Sequence, residues 1–256
     1  MENNQCKICG AERSKIFSKR FLEKYDVSFF ECQDCGFIQT EKPYWLKEAY
    51  SSAITSTDVG LVHRNVMYSD VIEKIIYRHF DKNNRFLDFA VGYGLFTRLM
   101  RDKGLNFWRE DKFCKNLFAK FFDIENLSEN ERKFELVTAF EMMEHIENPY
   151  KELDKIFSMT DNFLFSTELV PENDLEGWWY LGAEHGQHIS FFTDKSLKKI
   201  AERYGGTYYP SGSLHFIGRK KTNIFEGMEK YALPSGKLES KMWSDFKWVV
   251  KKVNNK

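Results

Sequence analysis

Four of the five cysteines fall in two Cys-x-x-Cys-Gly units, Cys6 to Gly10 and Cys32 to Gly36, with 22 residues between Cys9 and Cys32. Two-residue spacing turns both thiolates of a pair toward one ion, and the glycine after each pair admits the tight backbone of a metal knuckle. Cys6, Cys9, Cys32 and Cys35 complete a closed tetrahedral set with no position left for water, so the expected chemistry is structural zinc rather than an open catalytic metal. Cys114 stands alone and reads as a packed thiol.

A second constellation begins at Arg85-Phe-Leu-Asp-Phe-Ala, which runs into Val91-Gly92-Tyr93-Gly94 and then an amphipathic stretch. This is a strand feeding a glycine turn and a helix N-terminus, where backbone approaches a ligand closely. Asp88 lies just ahead of the turn, and Asp111 falls at the end of the next strand, where an acid can take both hydroxyls of a ribose. A phosphate-binding loop would carry a lysine and would avoid an acid so close. The third constellation, Gly177-Trp-Trp-Tyr-Leu-Gly-Ala-Glu-His-Gly-Gln-His188, brings Trp178, Trp179, Glu184, His185 and His188 into one loop. An imidazole near neutral pKa suits removal of a proton, and aromatic faces beside it suit stacking on a sugar or base.

These residues must be positioned by an alternation of short apolar runs and amphipathic stretches, the pattern of a parallel sheet covered by helices. Leu61–Phe80 has Val62, Val66, Ile72, Ile75, Ile76 and Phe80 near helical spacing. Leu95, Phe96, Leu99 and Met100 share a helix face that Gly104 ends, and Phe113–Phe122 also reads as a helix. Pro149 opens another helix and Thr193 caps one more, before two strands about a Pro/Ser/Gly turn at 207–220. Near the C-terminus Met242, Trp243, Phe246, Val249 and Val250 are helically spaced, predicting a helix that packs back on the body or meets a partner.

Lys plus Arg and Asp plus Glu each number 38, so no whole-molecule basic field invites nucleic acid or membrane, although a local basic patch is still open. No apolar run approaches the roughly 18 residues that cross a bilayer. The first residues hold no signal-peptide core, and the expected compartment is cytoplasmic, with reduced thiols. The 24 Phe predict a Phe-rich core.

The glycine turn and the strands and helices after it resemble the class I S-adenosylmethionine-dependent methyltransferases. Their first motif is matched by Asp88, Ala90, Gly92 and Gly94, with Ala90 in place of the first glycine, and Tyr93 lies within it. Thr138-Ala-Phe-Glu-Met-Met-Glu-His-Ile is similar to their fourth motif. The resemblance implies that Phe140 and Glu141 lie beside the cofactor and that Asp111 holds its ribose. It also implies an α/β fold with a Rossmann-like seven-stranded sheet ending in an antiparallel hairpin. With the N-terminal four-cysteine module added, the chain looks like sugar C-methyltransferases acting on nucleotide-linked sugars and related glycan-cluster enzymes. In that group the late His is the proposed base, which implies His188. The residue before it, normally Glu, is Gln187 here, and Glu184 and His185 are the candidates to compensate. Tyr50 corresponds to a substrate-facing tyrosine.

The organisation expected is a zinc-binding module at 1–45, a linker and helical lead-in at 46–82, an S-adenosylmethionine-binding core at 83–220 and a helical extension at 221–256. The function implied is methyl transfer to a sugar, nucleotide-sugar or glycan-precursor acceptor, a small-molecule partner, with oligomeric state left open. Two alternatives stand beside it. Glu141, Glu144 and His145 are similar to a set that binds a divalent ion in certain RNA and small-aromatic O-methyltransferases. A non-catalytic scaffold of the same fold is the other, motivated by Ala90 and Gln187.

Overall fold

The computed structural model describes residues 4–51 and 58–254. Residues 52–57 of the expected lead-in lie outside the described part. Along the chain come β1 (Arg13–Phe21), β2 (Tyr25–Cys32), β3 (Ile38–Thr40), α1 (Leu46–Ala49) and α2 (Leu61–His79). Then come β4 (Arg85–Phe89), α3 (Leu95–Asp102), β5 (Asn106–Glu110), β6 (Leu136–Ala139), α4 (Pro149–Met159) and β7 (Asn162–Ser166). The chain ends with β8 (Ser190–Phe191), α5 (Asp194–Arg203), β9 (Thr207–Ser211), β10 (Leu214–Gly218) and α6 (Met242–Asn254).

The larger sheet has the order β5-β4-β6-β7-β10-β9. β4 runs parallel to β5 and β6, while β9 and β10 form an antiparallel hairpin, so the fold is the expected Rossmann-like α/β arrangement with a mixed sheet. Six strands are present among the described residues where seven are expected. Next to β5 there is only a single parallel bridge, Arg109 to Asp123, in place of the missing strand. The segment before that bridge is also not the helix its apolar spacing predicts. Its local polar groups hold turns instead. Asp111 Oδ1 accepts from the amides of Phe113 and Cys114 at 2.8 and 2.7 Å, and Asn116 Oδ1 accepts from the Ala119 amide at 2.9 Å. Such side-chain-to-backbone bonds compete with helix.

The described chain divides into two units. The first joins 1–57, 140–158 and 164–221. Here β1, β2, β3 and β8 form a four-stranded sheet. Alternation sends Phe21, Val27, Phe29 and Ile38 inward, where they pack with Trp45, Tyr180, Ile189 and Phe191. The loop that carries the late histidines therefore completes the core of the N-terminal residues. Each fully buried aromatic there contributes roughly 2–3 kcal/mol. The Trp45 indole N–H donates to the Gly186 carbonyl at 2.8 Å, fixing that loop.

The second unit joins 58–139, 159–163 and 222–256. Ile72, Ile75 and Ile76 of α2 and Phe86 and Phe107 of the strands are fully buried. Val62 and Val66, expected on the same apolar face of α2, are 62% and 45% exposed, so only the C-terminal part of the helix packs. α6 is anchored by a buried ion pair, Arg101 to Asp245, with two contacts of 2.7 Å. Of its expected apolar face, Met242, Trp243, Phe246 and Val250 are exposed, and Trp248 packs instead against Phe122.

Candidate functional site

In the first unit the two knuckles bring all four cysteines together. Their sulfurs lie within 4.8 Å of one another, with Cys6 to Cys35 at 3.7 Å and Cys9 to Cys32 at 3.4 Å. Zinc–sulfur bonds of about 2.3 Å in a tetrahedron place neighbouring sulfurs about 3.7 Å apart, so the set fits zinc. Gly10 and Gly36 adopt φ of +75° and +68°, the left-handed turn each knuckle needs. The Cys35 thiol pulls Cys6 down to about 5, while its bond to Cys6 and burial push Cys35 up and burial pushes Cys9 up. The second knuckle rests on α5: the Thr193 hydroxyl donates to the Cys35 carbonyl at 2.5 Å and caps the helix through the Ser196 amide.

The same unit gathers the late histidines. The His188 Nδ1 meets the Tyr180 carbonyl at 2.6 Å, and His145 Nδ1 meets the Gln187 carbonyl at 3.1 Å. A carbonyl cannot donate, so both rings carry the proton on Nδ1 and a lone pair on Nε2. His185 is the reverse, because its Nδ1 accepts from the Gln187 amide at 3.1 Å. The His188 ring lies 4.8 Å from that of His145 and 4.7 Å from that of His185. Tyr50 joins them through its hydroxyl, 2.9 Å from His145 Nδ1. Burial lowers His145 to about 4 and His188 well below its ordinary value, so both are neutral at pH 7. Glu184 stays largely exposed, 4.0 Å from His185 Nε2.

Glu144 is wholly buried beside these rings, its carboxylate near the Tyr180 and Thr167 hydroxyls, and among the described residues neither carboxylate oxygen has a well-formed hydrogen bond. Burial and then Glu141 push its pKa well up. Glu141 is held at the end of β6 with φ +52°; its amide donates to Ser166 Oγ at 2.8 Å, and that hydroxyl donates back to its carboxylate at 2.7 Å. Phe140, the residue before it, is partly buried. Gln187 donates to the Ala49 carbonyl at 2.8 Å, next to Tyr50, so the amide that replaces the expected Glu fixes backbone rather than a histidine. Trp178 packs on Tyr180 and Phe191, whereas Trp179 is 73% exposed.

In the second unit β4 ends at the glycine turn. Asp88 is buried, accepting from the Thr138 and Thr97 hydroxyls at 3.0 and 3.3 Å, and burial pushes its pKa well up. Its carboxyl therefore braces the turn from within. Ala90 takes φ +57°, the conformation of the glycine it replaces, and its amide donates to the Glu110 carbonyl at 2.7 Å. Gly92 has φ +65°, and a Cβ there would meet nothing within 4 Å, which is the open approach a ligand needs. Asp111 Oδ2 accepts from the Gly92 amide at 2.8 Å. Tyr93 offers its carbonyl to the amides of Leu117 and Phe118 at 3.0 and 3.2 Å. Gly94, φ +87°, precedes α3.

Sequence reasoning missed Arg109. Its buried guanidinium donates to the Gly92 carbonyl at 3.0 and 2.6 Å and to Asp123 at 2.6 Å, binding the turn to the segment after β5. The signal was there: an arginine inside an apolar strand needs buried acceptors. Tyr180 is legible in the sequence as one of the loop's aromatics, but not that its carbonyl sets the His188 tautomer.

Residues 63–209 match the family model described as a methyltransferase domain, more than half of the chain. The chain belongs to the methyltransferase-domain family. No curated protein matches it. Solved structures similar to this methyltransferase domain include the plantazolicin methyltransferase BpumL with a monoazolic desmethylPZN analog and SAH, at 11% identity and TM-score 0.47, covering 69% of this chain and 93% of that one. Another is magnesium protoporphyrin IX methyltransferase (ChlM) from Synechocystis PCC 6803 with SAH, at 12% identity and TM-score 0.45, covering 68% and 93%. The mitomycin 7-O-methyltransferase MmcR is similar at 12% identity and TM-score 0.41, covering 68% and 59%. No helix among the described residues is long and apolar enough to cross a membrane.

Proposed function

We propose that this methyltransferase uses S-adenosylmethionine to methylate a sugar, nucleotide-sugar or glycan-precursor acceptor, with a structural zinc at Cys6, Cys9, Cys32 and Cys35. The turn residues Ala90, Gly92, Tyr93 and Gly94, braced by Asp88 and bonded to Asp111, would hold the cofactor, with Phe140 and Glu141 beside it. The open space over Gly92 supports that fit. When bound, the cofactor supplies an electrophilic methyl group on a sulfonium. The chain's own task is then to orient the acceptor and take its proton.

The observation that carries the acceptor reading is the tautomer of His188. Its Nδ1 is tied to the Tyr180 carbonyl, and burial keeps the ring neutral, so Nε2 offers a lone pair to an acceptor hydroxyl or activated carbon. Tyr50, bonded to His145, and His185 beside His188 would orient the acceptor, with Glu184 at the loop surface. The test is a screen of nucleotide sugars with the zinc-loaded protein, following S-adenosylhomocysteine release. His188→Gln should lose at least about a hundredfold in kcat while cofactor affinity holds. Unchanged turnover in that variant would remove His188 from the chemistry.

A second reading is favoured by one observation. Glu144, His145 and His188 bring ligand atoms within 4.8 Å of one another, and among the described residues the Glu144 carboxylate oxygens have no well-formed hydrogen bond. A divalent ion there would suit an RNA or small-aromatic O-methyltransferase, and the two imidazoles would favour a first-row transition ion over magnesium. Activity that zinc loading alone does not support and that added manganese restores would select this reading. Full activity of the zinc-loaded protein with no further metal added would select the first.

A further inference from the structure

Two aromatic stretches of the second unit lie at the surface. Phe113 is 95% and Phe118 50% exposed, in the irregular segment after β5. On α6, Trp243, Phe246 and Val250 are 66%, 58% and 40% exposed. Spacings of three and four put them on one stripe, while buried Asp245 lies on the opposite side. The stretches are neighbours, since Trp248 of α6 stacks on Phe122 at 5.1 Å and meets Phe121 edge-on at 6.1 Å.

The exposed charges of α6 have one sign. Lys247, Lys251 and Lys252 are exposed and have no acidic partner among the described residues, whereas the segment after β5 is balanced, with Lys112, Lys115 and Lys120 against Asp111, Asp123 and Glu125. Asp245, the one acid of α6, is consumed by Arg98 and Arg101. Asp111 is consumed by backbone amides. The equal totals of acids and bases conceal this asymmetry.

We propose that the exposed stripe of α6, turned away from the side on which Trp248 and Asp245 pack, docks the protein on an anionic lipid surface. Tryptophan and phenylalanine enter the headgroup boundary of a bilayer, and lysines beside them reach lipid phosphates while their stems cover apolar surface. A nucleic acid is the poorer match, because the nearby arginines are committed to Asp245, and Leu117 and Val250 offer nothing to bases. A soluble partner or second copy would not call for cations alone.

The test uses the full, zinc-loaded chain and needs no catalysis. Sedimentation is compared with vesicles of phosphatidylcholine alone and with about 30% phosphatidylglycerol, at low salt and at about 0.5 M. Binding is expected on anionic vesicles only, weakened severalfold by salt, with a blue shift of tryptophan emission. Lys247→Gln with Lys251→Gln should lower partitioning by roughly fivefold per lysine. Trp243→Ser with Phe246→Ser should abolish it, and both pairs should keep the wild-type Tm because the side chains are exposed. Equal binding to neutral and anionic vesicles, no binding to either, or variants that bind like wild type would overturn the proposal. So would a dimer or an oligonucleotide complex dissolved by these substitutions without any vesicle binding.

Discussion

Ala90→Gly should stabilise the protein. Ala90 sits at φ +57° and is held there by its amide bond to the Glu110 carbonyl. A residue with a Cβ is disfavoured by about 1–2 kcal/mol in the left-handed region. Glycine removes that strain but loses about 0.4–1 kcal/mol through the greater freedom of the unfolded chain. The balance is about 0.5–1 kcal/mol in favour of glycine. In a protein of this size each kcal/mol moves Tm by about 2–4 °C, so a rise of about 1–4 °C is expected by calorimetry. Ala90→Val is the control, since a β-branched side chain tolerates that conformation worst and should cost at least about 1 kcal/mol. A glycine variant less stable than wild type, with the valine variant unchanged, would refute the strain argument and with it the claim that Ala90 does the work of a glycine.

The same geometry predicts further outcomes. The protein should carry one tightly held zinc per chain by atomic emission, and Cys32→Ala should lose both the metal and thermal stability; a metal-free protein with wild-type Tm would contradict this. Asp88→Asn should be well tolerated near neutral pH, because burial already favours the protonated carboxyl. The folded pKa is raised, so the carboxyl's contribution is present at low pH and lost as pH rises through that pKa. The Asn variant should therefore gain on wild type with rising pH in urea midpoints, and an opposite slope would be inconsistent. Burial lowers the His188 pKa well below its ordinary value, so kcat/KM should show no acid limb between about pH 7 and 8; a limb near 7 would point to another base. Asp245→Ala should cost about 3–5 kcal/mol by leaving buried Arg101 unpaired, measured by urea unfolding.

Spacing and period carried much of this fold. The Cys-x-x-Cys-Gly pairs, the strand running into Gly92 and Gly94, the Thr193 cap and the final hairpin are all local signals. The segment Phe113–Phe122 misled because its apolar spacing is helical while Asp111 and Asn116 divert the backbone into turns, a competition that spacing does not register. The valines of α2 and the aromatics of α6 misled for a related reason: amphipathic spacing says that a face exists, not that the body covers it. The pairing of β3 with β8 joins residues about 150 positions apart, and no local pattern encodes such a partner. The histidine cluster was legible as residue types, but its tautomers depend on the Tyr180 and Gln187 carbonyls, which only the folded loop supplies.

The central claim is that the glycine turn binds the methyl donor, and calorimetric titration of the zinc-loaded protein with S-adenosylmethionine tests it most directly. Saturable binding near one per chain, lost in Gly92→Arg while that variant keeps its fold, is the predicted result. An intact, folded wild-type protein that shows no binding would contradict it.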